Sequence, residues 1–374
     1  MKDINHVKVL HIVQAVGGVE RYLQMLLDAI DISKYENIVI CSSDYDKNYF
    51  EKKQIKYYVT KLKRSIGIYD FISIIEVRKL IKKVSPDIIY CHSSKGGAIG
   101  RLANIGLNYK CIYNPHGWAF NMNCNKIKRK LYAIIERSLS NFCESIICIS
   151  DAEKISALDN KISSKEKLIT IKNGIDTGKY KHGDTISRSD LNIPQDAYVV
   201  GTVARLTMQK APDIFIKMAE KVKKNIPNAF FVMVGDGDER EEIESFIKNS
   251  ILSNSVIITG WIDDAFSYMK TFDVALLLSR WEGFGLVLSE YMLAKVPIIA
   301  TSVDAIPYII ENEKNGLLVK VNDISETAKA VSRLYNDTDL CNRMIINAFK
   351  EVNEKYDIKR VALEHEKLIE RILL

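Results

Sequence analysis

The chain alternates short, continuous apolar runs with longer amphipathic stretches. VKVLHIV (7–13), NIVICS (37–42), PDIIYCH (86–92), YKCIYNPHG (109–117) and ESIICIS (144–150) are such runs. A Gly17–Gly18 turn precedes an amphipathic segment from Glu20 to about Ile30. Runs that are apolar at consecutive positions are expected of parallel strands with helices on both faces. The alternation pauses over TGKYKHGDTISRSDLNIPQD (177–196), which has little apolar content, two glycines and a proline. It then restarts. YVVGTVARL (198–206) reads as strand, DIFIKMAEKVKKNI (213–226) as helix, and AFFVMVGDG (229–237) as strand into a tight turn. A helix near 239–250, SVIITGW (255–261), a helix, DVALLLS (273–279), a helix over 285–294 and PIIATS (297–302) follow. The last segment, 358–374, is apolar at 361, 363, 368, 369, 372 and 373, an amphipathic terminal helix that must dock on something.

This pattern predicts an α/β chain of two Rossmann-like, doubly wound domains. The first spans 1–178, a linker covers 179–196, and the second spans 197–355. In such sheets ligands bind at the carboxyl ends of the strands, and a ligand shared by both domains would lie in the cleft between them.

Composition narrows the setting. No run of about 18 apolar residues appears, so no transmembrane helix is expected. The N-terminal MKDINHVKVLHIV passes from charged residues straight into a strand-like run without a cleavage site, so no signal peptide is expected either. Seven cysteines without CxxC or His–Cys metal spacing fit a reducing, cytoplasmic compartment. The net charge of +6 is unevenly spread. Residues 1–175 hold 28 Lys and Arg against 17 Asp and Glu, the remainder 25 against 30, so +11 is set against −5. Basic clusters at KLKR (61–64) and NKIKRK (125–130) point the first half toward an anionic membrane leaflet or a phosphate-bearing substrate. No motif or aromatic interleaving marks nucleic acid as a partner.

The densest chemistry lies in SRWEGFGLVLSEYM (279–292). DVALLLS is a buried strand, RWEGFG the loop at its carboxyl end, and LVLSEYMLA has helical spacing. The amides of Phe284, Gly285 and Leu286 then sit at a helix N-terminus, a ready anion site, and Gly283 and Gly285 let a ligand approach the backbone. Glu282 lies on the loop and Glu290 about one turn inside the helix. Each can accept two hydrogen bonds from a vicinal diol. Two such acids flanking an anion site suit a diphosphate with a diol at each end, as in a nucleotide-sugar. VARLTMQK places Arg205 and Lys210 at another strand end, where two cations can cradle a diphosphate. The GDG turn beginning at Gly235 and the GW pair (260–261) close strands at the same edge. HSSKGG (92–97) is a second polar, glycine-containing loop between strand and helix, with Ser93, Ser94 and Lys95 expected exposed.

With these motifs in place, the chain resembles a retaining glycosyltransferase of the GT-B fold, similar to glycosyltransferase family 4, over nearly its whole length. The E-x7-E pattern of SRWEGFGLVLSE is the most specific element, joined by ARLxxxK (204–210), NGID (173–176), GGVE (17–20) and HG (116–117). The resemblance implies that Glu290 holds the nucleotide ribose, that Glu282 contacts donor-sugar hydroxyls, and that Arg205 and Lys210 neutralise the departing diphosphate. It implies that Gly17 and Gly18 approach the donor phosphate and acceptor, and that His116 sits beside the reacting sugar. Donor contacts are expected also from Gly235, Gly283, Phe284, Gly285 and Leu286, and acceptor contacts from His92, Ser93, Lys95 and Trp118. The terminal helix, about 356–374, is expected to cross back to the first domain. No cofactor and no metal are expected. The closely spaced acids of DYD (44–46) and IDD (262–264) lack the context of metal-dependent transferases.

The expected reaction is transfer of a hexose-type sugar from a UDP- or GDP-sugar to a glycan or polyprenyl-diphosphate-linked acceptor in cell-surface polysaccharide assembly, at the inner face of the plasma membrane. No enzymatic nucleophile stands out, so the leaving phosphate oxygen is expected to take the acceptor proton. Three departures from the family pattern stand out: Ala211 after Lys210, Tyr291-Met292-Leu293 after Glu290, and TSVDAIPYII (301–310) without the usual glycine pair. The alternatives are a nucleotide-sugar epimerase of the same architecture and a non-catalytic nucleotide-sugar-binding protein. A dinucleotide-dependent dehydrogenase is disfavoured because no GxGxxG follows the first strand.

Overall fold

The computed structural model describes residues 6–62, 67, 69–122, 124–178 and 186–374. Lys63 and Arg64 of the KLKR cluster, and residues 179–185 of the expected linker, lie outside the described residues. The chain forms two compact units. One runs to Gly174 and takes up Ile358–Leu374; the other is Ile175–Asp357.

The first unit contains β1 (Val7–Ile12), α1 (Gly18–Ala29), β2 (Tyr35–Ser42), α2 (Lys47–Lys52), β3 (Lys56–Thr60), α3 (Tyr69–Val84), β4 (Ile88–His92), α4 (Ser94–Asn104), β5 (Lys110–Asn114), α5 (Lys126–Leu139), β6 (Ser145–Cys148), α6 (Asp151–Asp159) and β7 (Leu168–Thr170). Its strands form one parallel sheet in the order β3-β2-β1-β4-β5-β6-β7. The strand order reverses at β1 and β4, which makes the carboxyl ends of those strands the switch point of a doubly wound sheet.

The second unit contains β8 (Tyr198–Val203), α7 (Pro212–Asn225), β9 (Ala229–Val234), α8 (Arg240–Lys248), β10 (Val256–Ile258), α9 (Ala265–Met269), β11 (Val274–Leu277), α10 (Leu286–Leu293), β12 (Ile298–Thr301), β13 (Leu317–Val319), α11 (Ile324–Asn336) and α12 (Thr338–Lys355). Its parallel sheet has the order β10-β9-β8-β11-β12-β13, with the switch at β8 and β11. The central strands β9, β11 and β12 are buried at every position, which explains why their sequences do not alternate.

The chain ends in α13 (Ile358–Leu373), which packs on α1 in the first unit. Val361, Leu368 and Ile369 are buried there, and Glu366 accepts a hydrogen bond from the Asp31 amide at 2.9 Å. Gly174 of NGID lies where α13 begins. A side chain there would meet Ile358 Cα and Val361 Cγ2, both at 2.9 Å, so the close approach requires glycine.

Two expectations need correction. The described part of the expected linker belongs to the second unit. Arg188 donates to the Thr271 carbonyl at 2.9 Å and to Asp273 Oδ2 at 2.8 Å, while Asp273 also accepts from the Val199 amide at 2.7 Å. That segment is polar because it makes specific hydrogen bonds. Three strands are also absent from the sequence reading: β3 and β7 at the two edges of the first sheet, and β13 at an edge of the second. β7 and β13 are only three residues long, and β3 is largely uncovered, so their apolar signal is short or broken.

Candidate functional site

In the second unit the loops at the switch point gather the residues singled out from the sequence. The loop after β8 carries Arg205 and Lys210; the loop after β11 carries Glu282, Gly283, Phe284 and Gly285. Arg280 ties the two together. Its amide donates to the Gln209 carbonyl at 2.8 Å and its Nη1 to the Met208 carbonyl at 2.8 Å. Its Nη2 makes a forked pair with Asp213, at 2.9 and 2.8 Å, on the first turn of α7. Gln209 Nε2 returns a hydrogen bond to the Trp281 carbonyl at 3.0 Å. Arg280 and Gln209 stand inside the quoted motifs yet were not singled out, because their hydrogen bonds join segments some seventy residues apart and leave no periodic trace.

The Lys210 ammonium forms an ion pair with Glu282 Oε2, which also accepts from Ser279 Oγ at 3.0 Å. The Glu282 amide donates to Asp304 Oδ2 at 2.9 Å. Asp304 is therefore part of the same cluster, although the loop 301–310 departs from the family pattern. Burial and the neighbouring Glu282 charge raise the Asp304 pKa. Arg205 is exposed and its guanidinium makes no hydrogen bond among the described residues.

Helix α10 starts at Leu286 after Gly285, whose φ of 79° and ψ of 60° are left-handed. No side chain caps it; the Leu288 amide is spent on the Gly285 carbonyl at 2.9 Å, and those of Leu286 and Val287 keep their capacity for an anion. Phe284 is buried and meets Tyr356 edge-on at 5.7 Å, a packing role that holds the loop rather than opening it to solvent. Glu290 is buried in α10. Gly235 has a φ of 143°, and a Cβ there would stand 2.0 Å from the Ala204 carbonyl oxygen. The turn after β9 thus presses on the residue beside Arg205, and only glycine allows it.

Of the departures, one sits in a strained backbone conformation and one has a local reason. Ala211 sits left-handed at φ 54°, where the family's glycine would be unstrained, and it caps α7 ahead of Pro212. Tyr291 is fully buried; its hydroxyl accepts from the Val203 amide at 2.7 Å, satisfying a donor at the carboxyl end of β8.

In the first unit, Gly17 and Gly18 are exposed at the start of α1, with nothing within 4 Å of an added Cβ. His116 is half-buried with φ 53°, its amide donating to Asn114 Oδ1 at 2.9 Å. The residues expected to meet the acceptor are less open than the sequence implied. His92 is fully buried and hydrogen-bonded to His116 at 3.0 Å. Ser93 is buried as well, and the Lys95 ammonium pairs with Asp70. Trp118 is a core residue, stacked on Phe120 with its indole N–H donating to the Glu153 carbonyl at 3.0 Å. Buried strand ends with polar side chains read in sequence like exposed loops, and this is why the two were confused.

Among the described residues no group of three or more His, Cys, Asp or Glu side chains is arranged to hold a metal ion. No helix of the described residues is long and apolar enough to cross a membrane.

These sites match known families. Residues 16–179 match the family described as Glycosyltransferase Family 4, and residues 184–351 match that described as Glycosyl transferases group 1. The chain belongs to the GT-B glycosyltransferases of family 4. Among its relatives is the UDP-Gal:alpha-D-GlcNAc-diphosphoundecaprenol alpha-1,3-galactosyltransferase of Escherichia coli, 27% identical over 96% of this chain and 97% of that protein. The O-antigen biosynthesis glycosyltransferase WbnH of Escherichia coli is 26% identical over 77% of this chain and 79% of its own. In fold the chain is similar to HepE of Anabaena in complex with UDP and glucose. That structure has a TM-score of 0.84 and 21% identity over 98% of this chain and 100% of its own.

Proposed function

We propose that this chain moves a hexose-type sugar from a UDP- or GDP-sugar to a glycan or polyprenyl-diphosphate-linked acceptor in cell-surface polysaccharide assembly, with retention and without a metal. The observation that carries this is the cluster at the β8–β11 switch point, where Lys210, Glu282 and Arg205 stand with the uncapped N-terminus of α10. A diphosphate needs cations and amides, and a sugar needs carboxylates for its diols.

In this reading Glu290 holds the ribose, Glu282 the donor hydroxyls, and Arg205 with Lys210 the diphosphate. The bond from the anomeric carbon to the phosphate oxygen breaks, and a bond from that carbon to the acceptor oxygen forms on the same face. The acceptor's hydroxyl proton passes to the leaving phosphate oxygen. The relative acting on a diphosphoundecaprenol-linked sugar supports a lipid-linked acceptor.

Helix α5 supports a membrane partner, an anionic leaflet reached from the cytoplasm. It exposes Ile127 (82%), Leu131 (52%) and Ile134 (47%) at helical spacing beside the exposed Lys126, Lys128, Arg129 and Lys130. Apolar side chains flanked by cations suit the interface of a negatively charged bilayer.

The test is a panel of nucleotide-sugars scored first for thermal stabilisation, then for transfer to a polyprenyl-diphosphate-linked amino sugar. A transferred sugar with retained anomeric configuration in the presence of EDTA supports the proposal. Epimerisation of the donor alone, or binding without turnover on any acceptor, sinks it.

A further inference from the structure

At the carboxyl ends of β1 and β4 and just past β5 stands a row of three histidines, His11, His92 and His116, of which His11 has no role in the expected reaction. His11 Nε2 lies 3.0 Å from Asn37 Oδ1. His11 Nδ1 lies 3.0 Å from His92 Nε2, and His92 Nδ1 lies 3.0 Å from His116 Nε2. The ring centroids are 5.3 Å apart at both steps, with interplanar angles of 22° and 17°. Nearly parallel rings at that separation, with nitrogens in contact, lie head to tail, as N–H···N hydrogen bonds require. Tyr90 stacks on His92 at 4.1 Å and holds the middle ring in place.

A neutral imidazole has one N–H and one lone pair. The Asn37 carbonyl oxygen can only accept, so His11 must carry its proton on Nε2. Its Nδ1 is then an acceptor, which requires His92 to be protonated on Nε2. The same step forces His116 to carry its proton on Nε2. One amide oxygen at the start of the row thus decides the tautomer of the ring at its end. His11 and His92 are fully buried, and their pKa values are depressed by that burial, to about 4 for His11. The rings are therefore neutral at pH 7 and the rule applies.

We propose that Asn37, His11 and His92 are positioning residues that lock His116 in its Nε2–H tautomer, leaving Nδ1 as a standing acceptor for a hydroxyl of a sugar reaching this edge of the first sheet. The last clause rests on the sugar-transfer reading; the locked tautomer does not. The ring then orients one hydroxyl and discriminates against a sugar that lacks it.

The tautomer is read directly from ring-nitrogen NMR of the full-length protein labelled with 15N-histidine, with signals assigned by single substitutions. At pH 7 the expected result is Nε2–H and an unprotonated Nδ1 for His11, His92 and His116. Asn37→Leu removes the acceptor that sets the direction, so His116 is expected to become a mixture of tautomers. The kcat/KM for sugar transfer should then fall about tenfold, the worth of one hydrogen bond to substrate. Asn37→Asp keeps an acceptor oxygen and should restore both readings. An Nδ1–H tautomer or a tautomer mixture at His116 in the unsubstituted protein overturns the proposal. So does Asn37→Leu with a scrambled His116 and unchanged kcat/KM. If Asn37→Leu does not fold, the spectrum of the unsubstituted protein decides alone. A locked tautomer in a protein that transfers no sugar overturns the sugar-binding clause and, with it, the reading of the site.

Discussion

Lys210 and Glu282, 72 residues apart in sequence, are held as an ion pair at the switch point of the second sheet. Both side chains are largely shielded, at 15% and 9% exposure. The cation proposed to meet the diphosphate is thus already oriented by the acid proposed to meet the sugar. Preorganisation of this kind spares reorganisation during reaction. Lys210→Ala is expected to lower kcat by about 10²–10³-fold, the usual cost of removing one charge-stabilising group. Glu282→Gln keeps a hydrogen-bond acceptor for Ser279 but frees the ammonium, and should weaken donor binding. Steady-state kinetics with the stabilising nucleotide-sugar measure both; activity within a factor of three of the unsubstituted protein in Lys210→Ala would remove Lys210 from the mechanism.

Acid should unfold the first unit earlier than its carboxylates alone would dictate. His11 is buried and its pKa is lowered from 6.5 to about 4. A depressed histidine stabilises the fold fully above the unfolded value of 6.5, and that stability is lost as pH falls toward 4, because the unfolded chain takes up the proton first. The window is therefore about pH 6.5 to 4, and the shift is worth about 3 kcal/mol. His92, His116 and His365 are lowered in the same direction, all chiefly by burial. Urea midpoints measured across that window should fall steeply with acid. A flat profile from pH 6.5 to 5 would contradict the burial of these rings.

The sheet cores were legible in the sequence because β9, β11 and β12 are buried on both faces and read as unbroken apolar runs. The placement of Glu282, Lys210 and Gly285 at strand ends was legible for a different reason. Each stands at a fixed offset from a strand end, so locating the strand locates the residue. The hydrogen bonds from Arg280 to Asp213 and from the Glu282 amide to Asp304 were not legible, since they depend on which loops become neighbours. The same holds for the histidine row. His11 and His92 lie on β1 and β4 and His116 just past β5, strands whose adjacency follows from sheet order alone. Trp118, expected among the acceptor contacts, is a core residue whose indole N–H is spent on the Glu153 carbonyl, a hydrogen bond to a segment 35 residues away that leaves no trace in the sequence pattern.

Gly235→Ala should destabilise the second unit by about 3 kcal/mol. The added methyl group meets backbone, the Ala204 carbonyl oxygen at 2.0 Å, and φ is 143°. Neither obstacle is a flexible side chain, so the turn itself has to shift. Denaturant unfolding gives the stability, and nucleotide binding to the variant reports whether Arg205, the residue after Ala204, has moved. An unchanged midpoint would mean that the turn after β9 relaxes freely.

Helix α5 leads to a prediction about membranes that separates charge from apolar contact. Lys126, Lys128, Arg129 and Lys130 lie on a helix whose inward face is anchored by Ala133, Glu136 and Leu139. The exposed cations can be changed without disturbing that packing. Each basic group near an anionic bilayer contributes about 1 kcal/mol, screened over a Debye length of about 8 Å at physiological salt. Replacing all four by Gln should therefore strongly reduce sedimentation with vesicles containing phosphatidylglycerol, as should high salt with the unsubstituted protein, each leaving only the fraction held by apolar contact. Ile127→Asn with Leu131→Asn removes apolar contact while keeping every cation. That double variant should still be recruited at low salt but lose the residual, salt-resistant fraction. Transfer to a short, water-soluble acceptor should survive in both variants, since α5 carries none of the donor-holding groups. Binding to anionic vesicles that is untouched by the four Gln substitutions would place the membrane contact elsewhere on the protein.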